Sequence, residues 1–360
     1  MKPISVPKRK HDLPTMSDVA KLAGVSPMTV SRVLNGEVNV RQNTRDKVEA
    51  AVAALHYVPN QEARRLAGSK PVRIGFLYSN PSAGYLSEFL VGLLNQASLN
   101  NVQLVVEKCG TDKHAVDHAR RLITNGVDGI VLPPPLCDFA PLIDLIAASA
   151  TPAVAVACGL PDPRVSAVSI DDYQAAYGMT NHLISLGHQR IGFIIGHPNQ
   201  TASARRMAGF KAAIADRGLQ EPDELIVQGM FTYRSGLDAA EILLGFERRP
   251  TAIFASNDDM AAATVAIAHR LGLDVPGDLS VVGFDDTSLA TTIWPELTTM
   301  RQPIVGMAEA AVKFLVRQIR ARRDGAPESP RHLLMDFSLI RRQSDAAPRM
   351  RPSTIVMGLA

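Results

Sequence analysis

A chain of 360 residues exceeds what one compact core usually holds, so two or three domains are expected. Hydrophobic residues make up 46% and charged residues 20%, a folded globular balance, and no apolar run approaches the roughly 20 residues that cross a bilayer. The net charge of +3 is uneven: residues 1–70 carry 12 Lys and Arg against 6 Asp and Glu, which leaves −3 for the rest, the distribution of a basic nucleic-acid-binding end on a mildly acidic body.

Residues 1–14 are basic and lack the apolar segment of a secretory leader. Residues 15–36, TMSDVAKLAGVSPMTVSRVLNG, read as two short helices. Thr15 and Asp18 have the spacing of a capping box; Val19, Ala20, Leu22 and Ala23 supply an apolar face. Gly24 permits a turn into which Val25 packs, and Ser26-Pro27 reads as N-cap and first residue of the second helix. Two helices joined by a short glycine turn form a helix-turn-helix, whose second helix enters the DNA major groove. Pro27, Met28, Thr29 and Arg32 then face the bases, and an Arg32–guanine contact would contribute ~1–3 kcal/mol of discrimination. Thr29, Ser31, Asn35 and Thr44 suit phosphate oxygens. A third helix, residues 42–55, closes the module through Val48, Ala51, Val52 and Leu55.

From Val72 the pattern changes. Apolar runs begin at Val72, Gln103, Gly129, Ala153, Ala167, Arg190, Ala252 and Leu279. Helical stretches lie between them at residues 87–99, 115–125, 173–186, 205–217, 235–244, 260–271 and 305–322. Apolar strands alternating with helices indicate parallel sheets covered on both faces, and these units are too many for one sheet. Ligands of such sheets bind beyond the strand C-termini, where this chain carries Ser79-Asn80, Asp171-Asp172, Ser256-Asn257-Asp258-Asp259 and Asp285-Asp286. Helix capping is the plainer role for each pair.

Several motifs occur together: DVAKLAGVS and TVSRVLNG, Tyr57-x-Pro59-Asn60, ARRLAG, GHQRIGFI, Arg206-x-x-Gly209-Phe210, SND, VVGFDD and PELTT-x-x-QP. With these the chain resembles the LacI/GalR family of bacterial regulators over about residues 16–340. The resemblance implies an N-terminal all-α helix-turn-helix headpiece and an α/β periplasmic-binding-protein-like body of two doubly wound parallel-sheet lobes joined by three crossovers. The expected divisions are a basic extension (1–14), the DNA-binding domain (15–59), a hinge helix or linker (60–70), an effector-binding and dimerisation domain (71–345) and a flexible tail (346–360). Lobe 1 would take residues 71–170 and 303–330, and lobe 2 residues 171–302 and 331–345. Two hinge helices of a dimer would pair, Leu66 wedging into the minor groove beside Arg64 and Arg65. Met16, Ser26, Asn60 and Ala63 complete the DNA contacts the family implies. Its effector site maps onto Tyr85, Arg206, Phe231, Asn257, Asp285 and, less directly, Trp294. Gln200 and Ala202 replace the contacts of purine-binding members, which favours a neutral sugar. The recognition helix departs from archetypal members by opening with Pro27-Met28, which shifts readout towards Arg32.

The implied function is a sequence-specific transcriptional regulator, a repressor of a carbohydrate-utilisation operon released from a palindromic operator by a sugar between the lobes. An activator or corepressor-dependent regulator is the alternative within the class. A sugar-binding protein without a DNA role would leave residues 15–67 unexplained, and an enzyme would need a catalytic constellation that the sequence lacks. P-loop, GxGxxG, HExxH and GxSxG motifs are absent, and no cofactor is expected. His114 and His118 are spaced as a metal pair without a third ligand; a solvated helix face is the reading preferred. Three cysteines (Cys109, Cys137 and Cys158) without metal spacing suit reduced thiols and a cytoplasmic location. A homodimer follows from half-site logic, and the tail has no leucine heptad for a tetramer.

Overall fold

The computed structural model describes residues 14–34, 40–55, 57, 71–110, 113–219 and 223–349. The expected hinge, and with it Asn60, Ala63 and Leu66, lies outside the described residues, as does Asn35. The chain divides into two compact units, Met1–Pro71 and Val72–Ala360.

The first unit contains helices α1 (Met16–Ala23), α2 (Pro27–Leu34) and α3 (Gln42–Ala54). Thr15 caps α1: its backbone N–H donates to Asp18 Oδ2 at 2.9 Å, and its hydroxyl accepts the Asp18 N–H at 3.3 Å. Gly24 ends the helix at φ 66°, a conformation that costs glycine nothing, and lets the Val25 N–H return to Ala20 O at 3.0 Å. Ser26 starts α2 by accepting the Thr29 N–H on its hydroxyl at 3.1 Å. Val19, Ala20, Ala23, Val30, Val33, Val48, Ala51 and Tyr57 form the core, with Val52 and Leu55 half-buried against it. Leu22 departs from expectation: it is 56% exposed, because helical rotation turns it off the face shared by Val19, Ala20 and Ala23.

In the second unit, lobe 1 contains β1 (Val72–Tyr78), α4 (Ala83–Asn100), β2 (Val102–Lys108), α5 (Lys113–Thr124), β3 (Gly129–Leu132), α6 (Ala140–Ser149), β4 (Ala153–Val156) and β5 (Ser166–Ser169). Lobe 2 follows with α7 (Asp172–Ser185), β6 (Ile191–Ile195), α8 (Thr201–Asp216), β7 (Ile226–Gln228) and α9 (Tyr233–Gly245). It continues through β8 (Ala252–Ala255), α10 (Asp258–Arg270), β9 (Ser280–Asp285), α11 (Leu289–Thr292) and β10 (Thr298–Arg301). The chain then returns to lobe 1 as α12 (Ile304–Arg323) and β11 (His332–Leu334), and to lobe 2 as β12 (Ser338–Ile340). Sheet orders are β11-β5-β4-β3-β1-β2 and β12-β10-β9-β8-β6-β7. Every pairing is parallel except β10 with β12. Strands β3, β4, β5, β8 and β9 are buried along their whole length, as sheets covered on both faces require.

The third crossing falls after Leu334, not at residue 331. Strand β11 pairs with β5, His332 beside Ala167, so residues 332–334 belong to lobe 1. Residues 346–349 are anchored rather than loose. The Ala346 N–H donates to Ser280 Oγ at 3.0 Å, Ala346 O faces His188 Nε2 at 2.9 Å, and Arg349 pairs with Asp274 at 2.9 Å. No helix among the described residues is long and apolar enough to cross a membrane.

Candidate functional sites

In the first unit α2 buries Val30 and Val33 and turns Pro27, Met28 and Arg32 outward, with Met28 66% exposed. Met28 and Arg32 stand four residues apart, one turn of the same face. Ser26 is exposed; Thr29 and Ser31 are half-buried, and Thr29 Oγ1 lies 2.9 Å from Ser26 Oγ. Thr44 is half-buried on α3. Met16 is half-buried and packs against the headpiece core.

In the second unit a cleft opens where strands of both sheets end. Its lining includes Asn80, Ser82 and Tyr85 after β1, Pro134 after β3 and Ala157 after β4. From lobe 2 come Gln200, Ala202 and Arg206 after β6, Phe231 after β7, Asn257 after β8, Asp285 at the end of β9 and Gln302 after β10. The space for water-sized groups between these walls is about 30 Å³, on the scale of two waters.

Arg206 organises the floor. Its Nε donates to Asp172 Oδ1 at 2.8 Å, its Nη1 donates to Ser256 O at 2.6 Å, and Nη1 lies 3.8 Å from Asp285 Oδ1. The guanidinium carbon sits 3.5 Å above the Phe284 ring and 5.7 Å from that of Phe231. Burial raises the Asp172 and Asp285 carboxyls, with Arg206 pulling each back towards the charged form. Asp285 also accepts from Gln302 Nε2 at 2.6 Å. Burial, with a further contribution from Asp285, holds the Tyr85 phenol neutral. The Tyr85 hydroxyl is buried without a hydrogen-bond partner. Four non-glycine residues at or beside the cleft have left-handed backbones: Ala157 (φ 54°), Phe231 (58°), Asp285 (113°) and Asp286 (60°). Strain of this kind persists where the surroundings over-determine it, which is common at binding sites.

Five of the six expected effector residues, Tyr85, Arg206, Phe231, Asn257 and Asp285, therefore line one cleft. Trp294 does not: it is 74% exposed and outside the lining, because it follows α11 on the surface of lobe 2. Ser82, Pro134 and Ala157 line the cleft without having been singled out, and so does Gln302, which stood in the PELTT-x-x-QP motif with no site role assigned. Gln302 follows strand β10, whose sequence TTMR is too polar to register as an apolar run; recognising it as a strand end would have exposed the glutamine. Asp171 caps α7 through the Gln174 N–H at 3.1 Å, whereas its neighbour Asp172 turns inward to Arg206. His118 is half-buried, its Nδ1 2.7 Å from Glu107 Oε2 and 2.8 Å from Arg121 Nη2.

Residues 15–60 match the model of bacterial regulatory proteins, lacI family, and residues 180–344 match a periplasmic binding protein-like domain. Catabolite control protein A of Priestia megaterium is 34% identical over 305 residues, 84% of this chain and 92% of that protein. The HTH-type transcriptional regulator AscG of Escherichia coli K12 is 33% identical, over 93% of this chain and 99% of that one. Among solved structures, a transcriptional regulator CelR–cellobiose complex matches with TM-score 0.70 and 30% identity, covering 92% of this chain and 99% of that one. The lac repressor dimer bound to operator and an anti-inducer matches with TM-score 0.70 and 29% identity, covering 93% and 100%. By its relatives, its two matched domains and its fold, the chain belongs to the LacI family of bacterial regulatory proteins.

Proposed function

We propose that this protein is a transcriptional repressor that binds a palindromic operator as a homodimer and is released by a neutral sugar held between its lobes. The observation that carries the sugar reading is the charge balance of the cleft. Among the described residues Arg206 is the one cation in the lining, and it already faces two buried carboxylates, Asp172 and Asp285. An anionic ligand would meet uncompensated acid in a low-dielectric site, whereas hydroxyls would find acceptors at Asp285 and Asn257 and a partner at the Tyr85 hydroxyl. Phe231 offers an apolar face for a ring. The operator reading rests on the outward face of α2, where Arg32 suits guanine and Met28 an apolar base edge. One such helix reads few bases, so a symmetric pair is needed for a site of useful length. No reaction is assigned, because the cleft carboxylates are engaged with Arg206 and Gln302 rather than paired across a scissile bond.

The test selects duplexes from a random library at physiological salt, then titrates the selected DNA against neutral mono- and disaccharides and their phosphates. Release by a neutral sugar, and not by its phosphate, supports the reading. Release by phosphates alone would refute the effector assignment; absence of any preferred duplex would refute the operator assignment. Tighter binding on adding sugar would convert the repressor into a corepressor-dependent regulator.

A further inference from the structure

Helix α8 carries Arg206 and, at its start, Gln200 and Ala202, yet its own N-cap residue, Gln200, makes no side-chain cap. A residue of the other lobe does so instead. Asp138, in the turn after β3 of lobe 1, accepts the Thr201 N–H on Oδ2 at 3.1 Å and the Thr201 hydroxyl on Oδ1 at 2.6 Å. Thr201 Oγ1 in turn accepts the Gly159 N–H at 2.8 Å and the Leu160 N–H at 3.1 Å, both from the loop after β4. A methyl group on Gly159 would lie 2.7 Å from the backbone of Thr201 and Ala202, so this approach needs a residue without a side chain. On the β1 side a second link joins the lobes: Ser82 Oγ donates to Asp259 Oδ2 at 2.6 Å.

We propose that Asp138, Thr201 and Gly159 form a cross-lobe helix cap, completed by lobe closure and undone by opening, that positions α8 and hence Arg206 against lobe 1. These are positioning residues: Asp138, Thr201 and Gly159 lie outside the cleft lining. When the lobes part, α8 loses an N-terminal acceptor and Asp138 loses its two donors on Thr201, keeping the Cys137 thiol of its own lobe at 3.7 Å, so closing and capping are one event. That the event tightens the grip on an effector rests on the sugar reading above; the cap itself does not.

Amide hydrogen exchange at single-residue resolution on the full chain tests it without any sugar. The first amide of a helix is normally unprotected, so slow exchange at Thr201 reports the cap. Asp138→Ala should speed exchange at Thr201 at least about fivefold, the scale of a lost cap. Gly159→Ala, which leaves Asp138 and Thr201 intact, should do the same by holding the lobes apart. Thr201→Ser, which keeps the hydroxyl, should retain protection, whereas Thr201→Ile should lose it. Gly159→Ala also guards against a misfolded Asp138 variant, since protection in β6 and β8 would show lobe 2 intact. Equal exchange at Thr201 in the wild type and Gly159→Ala would overturn the proposal. An effector response that survived loss of the cap would refute only the coupling, and absence of any sugar response would leave the exchange result standing.

Discussion

Arg206 is both the buried counter-ion of Asp172 and a donor at the cleft floor, and a double substitution separates the two. The Asp172 and Arg206 side chains are 2% and 5% exposed, joined at 2.8 Å. Arg206→Met preserves most of the volume but strands Asp172 and removes the counter-ion of Asp285; breaking a buried pair on one side costs about 3–5 kcal/mol. Asp172 can escape part of this by taking up a proton, since burial already raises its carboxyl, so we expect the lower end, about 3 kcal/mol. For a domain of this size about 1 kcal/mol moves Tm by roughly 2–4 °C, so the variant should melt about 6–12 °C lower. Asp172→Asn alone leaves Arg206 with Ser256 O and the more distant Asp285, and should cost about 1–3 kcal/mol. The double variant removes both charges; its loss should fall short of the sum by at least about 2 kcal/mol. Urea unfolding of the four proteins measures the cycle. Losses that add to within about 0.5 kcal/mol would show that the pair is not an energetic unit. The double variant should also keep its operator preference while losing the sugar response, because Arg206 no longer meets the cleft.

Three further perturbations follow from the same geometry. Arg32→Ala should leave thermal unfolding unchanged, since Val30 and Val33 hold α2 to the core, while operator-over-random discrimination falls about 5- to 150-fold per half-site in a competition assay; an unchanged ratio would remove Arg32 from readout. Tyr85→Phe deletes a buried hydroxyl that has no partner, so stability should hold or rise, by up to about 1–3 kcal/mol, while sugar affinity drops roughly 3- to 10-fold by calorimetry. Equal affinity would mean that the hydroxyl faces no ligand. Burial raises the Asp258 carboxyl from 3.8 to about 7 despite its bonds from Thr287 and Thr299. The folded state therefore holds a proton that the unfolded chain releases, so this contribution is greatest below about pH 4 and is lost as pH rises through about 7. Asp258→Asn cannot ionise and should flatten the decline in stability between pH 4 and 8 by at most about 4 kcal/mol; parallel curves would contradict that assignment.

The headpiece was legible in detail because its signals are local. A capping box, a left-handed glycine and a Ser-Pro helix start each act within four residues, and each recurs in the structure at Thr15, Gly24 and Ser26. The apolar strands were equally plain. What escaped depends on partners distant in the chain. Strands β7, β10, β11 and β12 have three or four residues each and become strands only by pairing with a sheet already formed. Lobe membership of residues 332–334 is a fact about β5, not about their own sequence. Helix α6 starts Ala-Pro and follows three consecutive prolines, which read as loop until the proline is recognised as a first-turn residue. Trp294 shows the converse: the family resemblance and a flat aromatic ring suggested a ligand platform, but the side chain is 74% exposed and outside the cleft lining.

The polar clusters at the strand ends show why capping and ligand binding could not be told apart from sequence, and why the distinction is partly false. At Asn257 capping and a place in the cleft wall coincide: Oδ1 accepts the Met260 N–H at 3.0 Å, capping α10, while Nδ2 donates to Phe231 O at 3.2 Å and the residue lines the cleft. Capping fixes the rotamer, so the residue that starts the helix is presented to a ligand at little further entropic cost. At Asp171-Asp172 the roles split between neighbours, one carboxylate capping α7 and the next buried against Arg206. At Thr201 the division crosses the cleft, the hydroxyl lying in lobe 2 and its carboxylate partner in lobe 1. A helix start at the end of a parallel strand carries a positive dipole end, exposed N–H groups and a short polar side chain, whatever the chain is for. Which of these starts serves a ligand is decided by what the opposite lobe brings to within hydrogen-bonding distance, a long-range fact that no window of sequence contains.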